Sequence, residues 1–228
     1  QVASRLVPDD ARSYAARGRA RMILGDGDGA LADFRAAAKA DPGSVEGPLG
    51  EGSVLSARGQ ARESLKPLNA AVVDDPGSAA ALLMRGAVRE RLRDFAGAAE
   101  DYGGVLAVNP GFTWAALYRG RALREIKDYR GADKALSDFL AAHPDHEDAY
   151  YLRGNVRYLL GDYQGAEQDL TKVISLDPRK GLAYSNRGLA RAELGDKVGA
   201  VSDLRKAMEL DPSRRDKIQA AIDAIAPA

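Results

Sequence analysis

Two histidines, His143 and His146, lie three residues apart in the stretch AHPDHED, with Asp145 and Glu147 beside them. Such a cluster could hold a metal ion loosely, but a zinc site takes three or four defined ligands. His143 also fills, just before Pro144, a slot that is Asp or Asn before Pro42, Pro76, Pro110, Pro178 and Pro212. The pair reads as part of a turn. Residues 25–29, GDGDG, look like the start of a calcium loop. That loop needs a bidentate Glu at its twelfth residue, and counting from Asp26 the twelfth is Ala37. Gly29, Gly97, Gly131, Gly165 and Gly199 recur at a fixed interval, whereas a phosphate cradle is one GxxxxGK[ST] segment. Cysteine is absent, so thiolate chemistry and disulfides are excluded. No nucleophile–base pair, metal set or nucleotide loop is present, and the sequence calls for no catalysis and no cofactor.

The interval itself organises the chain. Pro8, Pro42, Pro76, Pro110, Pro144, Pro178 and Pro212 are spaced by 34 residues without a slip. A fixed period of this length marks a solenoid of helix–turn–helix segments. Six full segments follow: 11–44, 45–78, 79–112, 113–146, 147–180 and 181–214. In each, a helix A is expected over roughly the first 14 residues and a helix B from about residue 17 to 31. Asp26, Asp94, Asp128, Asp162 and Asp196 stand where they can cap helix B. Asp, Asn or His before proline ends it, and Ser44 and Ser78 are expected to cap the next helix A.

Residue size at fixed places tells how the helices touch. The eighth residue is always Gly (Gly18, Gly52, Gly86, Gly120, Gly154, Gly188). The twentieth is always small, and the twenty-fourth always large (Phe34, Leu68, Tyr102, Leu136, Leu170, Leu204). Six glycines inside helices, each costing about 0.5–1 kcal/mol relative to Ala, make sense where helix A presses on helix B. Arg21, Arg89, Arg157 and Arg191 each follow another Arg by four residues, and Asp33, Asp101, Asp169 and Asp203 recur in helix B. These are expected to pair across the two helices; otherwise they would form a solvated charged face. The second segment is irregular. Pro48 replaces an aromatic and Pro67 falls inside helix B, where it removes a backbone hydrogen bond and could bend the array.

Residues 1–10, QVASRLVPDD, match the end of a segment whose start is missing, which suggests a piece of a longer array. Residues 215–228 carry an amphipathic helix with Ile218, Ala221, Ile222 and Ile225 on one face, suited to cap the exposed end. The alternative is the first helix of a further segment. Lys+Arg and Asp+Glu each number 33, divided 14 to 15 up to Trp114 and 19 to 18 beyond it. Neither half has the basic excess of a nucleic-acid or anionic-membrane surface. No apolar run approaches the roughly 18 residues of a membrane span, so no direct membrane insertion is expected.

With Tyr150, Gly154, Ala166, Leu170, Val173 and Pro178 in one segment, and their counterparts in the others, the chain resembles the tetratricopeptide repeat family over residues 11–214. The resemblance implies an all-α, right-handed superhelical solenoid. It also implies a non-catalytic activity, the binding of a protein or peptide segment in a concave groove lined by the A helices. Residues 2, 5, 6, 9, 12 and 13 of each repeat would face that groove. In the first three repeats these are mostly small or aliphatic, with Arg12, Arg19, Glu46 and Arg91. The last three present Trp114, Tyr118, Arg121, Arg124, Tyr151, Asn155, Tyr158 and Asn186. Aromatic rings give rigid contact area, while amides and guanidinium groups hold backbone and carboxylates. The expected site is therefore repeats 4–6, with Arg19 as an outlier. Asn155 and Asn186 match the two asparagines of a family clamp for a partner's C-terminal carboxylate. Tyr151 stands in place of that clamp's first lysine, and no third repeat supplies its basic pair.

Two other readings fit the same pattern. One is a self-assembling scaffold, a homo-oligomer joined through an open end or the groove. The other is the regulatory arm of a larger enzyme or membrane-anchored protein. The compartment stays open, cytoplasmic or periplasmic.

Overall fold

The computed structural model describes residues 9–225. Residues 1–8 of the N-terminal tail lie outside them. The described residues form helices and turns, with no strand among them. They divide into two compact units, one up to Ala122 and one from Leu123 on.

The first unit holds α1 (Ala11–Ile23), α2 (Gly27–Ala40), α3 (Glu46–Ala57), α4 (Ala61–Asp74), α5 (Ala79–Arg91) and α6 (Phe95–Val108). Helix α7 (Trp114–Glu125) carries residues of both units. The second unit continues with α8 (Tyr129–Ala142), α9 (Glu147–Leu160), α10 (Tyr163–Leu176), α11 (Gly181–Glu193) and α12 (Lys197–Leu210). A 3-10 turn, Pro212–Arg214, leads into α13 (Arg215–Ile225). Within each unit every helix packs on the next in sequence. The A helices also touch one another, α1 on α3, α3 on α5, and α9 on α11. This is the all-α stacking of helix pairs that the period implies.

Five of the six B helices start the same way. Asp26, Asp94, Asp128, Asp162 and Asp196 accept a hydrogen bond from the N–H of the residue three on, always Gly. A Cβ on Gly29, Gly97, Gly131, Gly165 or Gly199 would collide with that aspartate, which explains the glycine series. Helix α4 has Gln60 and Glu63 at these two places and no side-chain cap. The turn before each B helix needs a positive φ. Gly25, Gly59, Gly161 and Gly195 supply it, and Arg93 and Lys127 adopt it at 64°. Ser78 caps α5 as expected. Ser44 does not cap α3: its cap residue is Val45, and the Ser44 hydroxyl accepts instead from the Glu46 N–H at 3.4 Å. Helix α4 continues through Pro67.

The core follows the size pattern. Phe34, Leu68, Tyr102, Leu136, Leu170 and Leu204 are all buried. A Cβ on Gly18 would meet the Phe34 ring at 3.1 Å, and one on Gly52 would meet Leu68 at 2.5 Å. In the second unit Ile218 and Ile222 of α13 bury against Leu204 and Ala207, with Ala221 and Ile225 packed alongside.

The Arg–Asp pairs form, and they are buried. Asp33, Asp101, Asp169 and Asp203 are no more than 4% exposed. Each takes two arginines from its own helix A. Arg17 grips Asp33 in a two-pronged contact at 2.7 and 2.9 Å, and Arg21 adds a third at 3.0 Å. Arg85 with Arg89, Arg153 with Arg157, and Arg187 with Arg191 repeat the arrangement on Asp101, Asp169 and Asp203. The same arginines also reach the preceding helix B. Arg153 donates to Ser137 at 3.0 Å, Arg187 to Thr171 at 3.1 Å and Arg85 to Asn69 at 3.3 Å. Arg157 pairs with Asp133, and Arg191 with Glu167, both at 2.8 Å. Bidentate guanidinium–carboxylate contacts fix angle as well as distance. They hold α5, α9 and α11 each at a set angle to two B helices, and α1 to one.

Candidate functional site

The histidines take the structural roles expected of them. His146 Nδ1 accepts the Ala149 N–H at 3.2 Å and so caps α9. Both rings pack on Phe139, His143 stacked and His146 edge-on. The GDGDG stretch is likewise the turn into α2, with Asp26 on Gly29 and Asp28 on Arg58.

In the second unit, α9 and α11 lie side by side and bring four expected residues together. Asn186 Nδ2 donates to Asn155 Oδ1 at 2.6 Å and to the Tyr151 hydroxyl at 3.2 Å. Both hydrogens of that amide are thus used, and one lone pair of Asn155 with them. Asn186 Oδ1 and Asn155 Nδ2 are left without a partner among the described residues, one an acceptor and the other a donor. They border a cavity of about 220 Å³ lined also by Tyr158, Leu159 and Leu189. The Tyr158 ring stands edge-on to Tyr163 at 5.4 Å. Burial, and next the Glu193 carboxylate close by, push the Tyr158 phenol above its ordinary range.

Lys180 was not expected here. Its ammonium pairs with Glu147 and, at 3.1 Å, with Asp148, and lies 5.0 Å over the Tyr151 ring. Burial opposes its charge, but those two carboxylates outweigh it and raise its pKa. Lys180 closes a repeat, away from the groove positions, so no spacing rule pointed to it. Leu159, Leu189 and Glu193 do occupy groove positions and were readable as such.

The other expected residues stand elsewhere. Arg124, in the second unit, pairs with its neighbour Glu125. In the first unit Tyr118 packs on the Tyr102 ring at 5.5 Å, and Arg121 meets Glu90 at 3.2 Å. Glu90 also accepts from the Tyr102 hydroxyl at 3.0 Å. Burial chiefly, then the Glu90 charge, raises that phenol's pKa. Trp114 opens α7 and is 40% exposed. Arg19, on α1, contacts Glu46 at 3.4 Å with both side chains largely in solvent.

Such a molecule is an all-helical repeat array with a polar, amide-bearing helix-A face and caps and turns built from its acidic residues. A tetratricopeptide repeat model matches residues 2–45, 49–108, 117–178 and 160–215, so the chain belongs to the tetratricopeptide repeat family. Among curated proteins none matches. Several solved structures share the fold. YrrB, described as a tetratricopeptide repeat protein with an unusual peptide-binding site, is 18% identical with a TM-score of 0.75, covering 82% of this chain and 97% of that one. MamA from Desulfovibrio magneticus RS-1, residues 41 to the end, is 24% identical with a TM-score of 0.67, covering 75% and 96%. PilF of Pseudomonas aeruginosa is 15% identical with a TM-score of 0.65, covering 92% and 97%. The family is generally non-catalytic, and its fold makes this chain a protein–protein interaction scaffold. No helix among the described residues is long and apolar enough to cross a membrane.

Proposed function

We infer that the chain binds an extended segment of a partner protein along the A-helix face of its last three repeats. The free donor and acceptor on Asn155 and Asn186 carry this reading. A peptide group offers one N–H and one C=O, and the asparagine pair offers their complements while its own geometry is fixed by the Asn186–Asn155 and Asn186–Tyr151 bonds. The adjoining cavity, walled by Leu159, Leu189 and Tyr158, suits one apolar side chain of that segment. Little side-chain entropy is lost on binding, because the amides are already held. Trp114, Tyr118 and Arg121, in the first unit, and Arg124, in the second, are proposed as further contacts for the partner, with Trp114 offering apolar area.

Selection of a random peptide library on the intact protein tests this. Enriched peptides are expected to bind Asn155→Ala/Asn186→Ala at least tenfold more weakly, by fluorescence polarisation. Equal binding to the double variant would remove the asparagines from the site.

A further inference from the structure

A second cavity lies in the first unit, on the faces of α1, α3 and α5, and nothing in the reading above uses it. It has a volume of about 240 Å³ and is lined by Met22, Phe34, Leu49, Gly50, Ser53 and Met84, with Ala80, Arg19 and Glu46 at its rim. Gly50 is one of its lining residues. The sixth residue of the other repeats is Ala16, Met84, Tyr118, Leu152 or Asn186, but here it is Gly50. The Gly50 backbone lies so close to the Phe34 ring that a Cβ would strike it. Residue 50 therefore has no room for a side chain beside Phe34, and two methionines border the cavity.

We propose that this cavity is a binding pocket for an aromatic side chain carried next to a carboxylate on a partner polypeptide. Size permits it, since a cavity of about 150 Å³ already accepts a benzene ring. Lining favours an aromatic over an aliphatic occupant, because thioether sulfurs and the Phe34 ring both make favourable contacts with a ring. Charge selects the carboxylate. The groove-facing residues of these three repeats include Arg12, Arg19 and Arg91 against Glu46 and Glu90. Glu90 is already engaged by Arg121 and the Tyr102 hydroxyl. Among the described residues Arg91 donates to the Ser56 carbonyl and hydroxyl, which are uncharged. Arg19 meets Glu46 in a single exposed contact at 3.4 Å, a weak pair that an incoming carboxylate can share. Arg12 lies beside the Asp10 carboxylate, so Arg19 and Arg91 are the guanidinium groups that this face offers to a carboxylate.

The chain's three methionines provide the test: Met22 and Met84 line the pocket, and Met208 lies in α12 of the other unit. The full chain, labelled with [methyl-13C]methionine, is titrated with N-acetyl-L-phenylalanine, a probe with one ring and one carboxylate. Saturable ring-current shifts are expected at Met22 and Met84, with Met208 unmoved, and a Kd on the order of 1 mM for so small a probe. N-acetyl-L-phenylalanine amide and N-acetyl-L-leucine are each expected to bind several-fold more weakly. Ala80→Trp, at an exposed position, fills the mouth and is expected to abolish the shifts. Arg19→Gln is expected to erase the preference for acid over amide. The proposal is overturned if Met22 and Met84 do not move, if Met208 moves equally, if Ala80→Trp binds as wild type does, or if amide or leucine matches the acid.

Discussion

The A-helix faces of the two units rest on the same frame and carry opposite chemistry. In the first unit, α1, α3 and α5 surround an apolar hollow with Met22, Met84, Leu49 and the edge of Phe34, and its ionic group stands at the rim. In the second, α9 and α11 surround a hollow of similar size whose wall holds Asn155, Asn186 and Tyr158. Both rest on buried Arg–Asp clamps of identical design. The lesson is a separation of duties within each repeat. Positions that touch the B helices are held to a narrow set of residues, and positions on the open face vary freely. A scaffold can thus change what it recognises without altering how it stands.

Removing the frame is the most damaging way to break that comparison. Asp101→Ala in the first unit and Asp169→Ala in the second each remove the buried carboxylate that two arginines share, although Arg89 keeps Asp94 and Arg157 keeps Asp133. Each is expected to cost about 3–5 kcal/mol in urea denaturation. A loss of a few tenths would mean the pairs behave like surface contacts. Making the two faces alike is gentler. Asn186→Leu turns the polar hollow apolar, and is expected to cost no more than about 1.5 kcal/mol in stability while weakening selected peptides at least tenfold. A stability loss several times larger would assign the amide network to folding rather than recognition.

Capping sets α4 apart from the other B helices of both units. Helix α10 is capped by Asp162, whereas α4 begins at Gln60 with no side-chain bond. Asp162→Gln gives α10 the start that α4 has, for an expected loss of about 1 kcal/mol. The smallest effect concerns Lys180. Its pKa is raised in the folded chain, so its contribution is whole below the ordinary lysine value of 10.5 and fades as pH rises through the raised one. Lys180→Met should flatten that part of the alkaline stability profile. An unchanged profile would mean that Glu147 and Asp148 do not hold the ammonium in solution.

Much of the fold was legible because repetition turns weak signals into strong ones. One proline or one helical glycine says little, but Gly18 and Gly154 occupy the same place as four others, and only a close helix contact explains them all. The Arg–Asp pairing was readable for the same reason. Its burial was not, nor were the bonds from Arg153 to Ser137 and Arg187 to Thr171, since these depend on how adjacent repeats nest. The glycine after each capping aspartate was visible as a series, but its purpose required the carboxylate's position. The site was legible only in outline. Groove numbering pointed to Asn155, Asn186 and Tyr158, yet it could not show that the two amides bond to each other. The first-unit hollow escaped notice because a missing side chain at Gly50 is not a motif.

The division between the two faces can be tested in one spectrum. The chain, labelled at side-chain amides with 15N and at methionine methyls with 13C, is mixed with a peptide selected on the wild-type protein. The account predicts that the Asn155 and Asn186 amide signals shift and saturate together, with Met22 and Met84 unmoved by a peptide that lacks an aromatic acid. If the methionines move and the asparagine amides stay still, the polar face of the second unit is not where the segment binds.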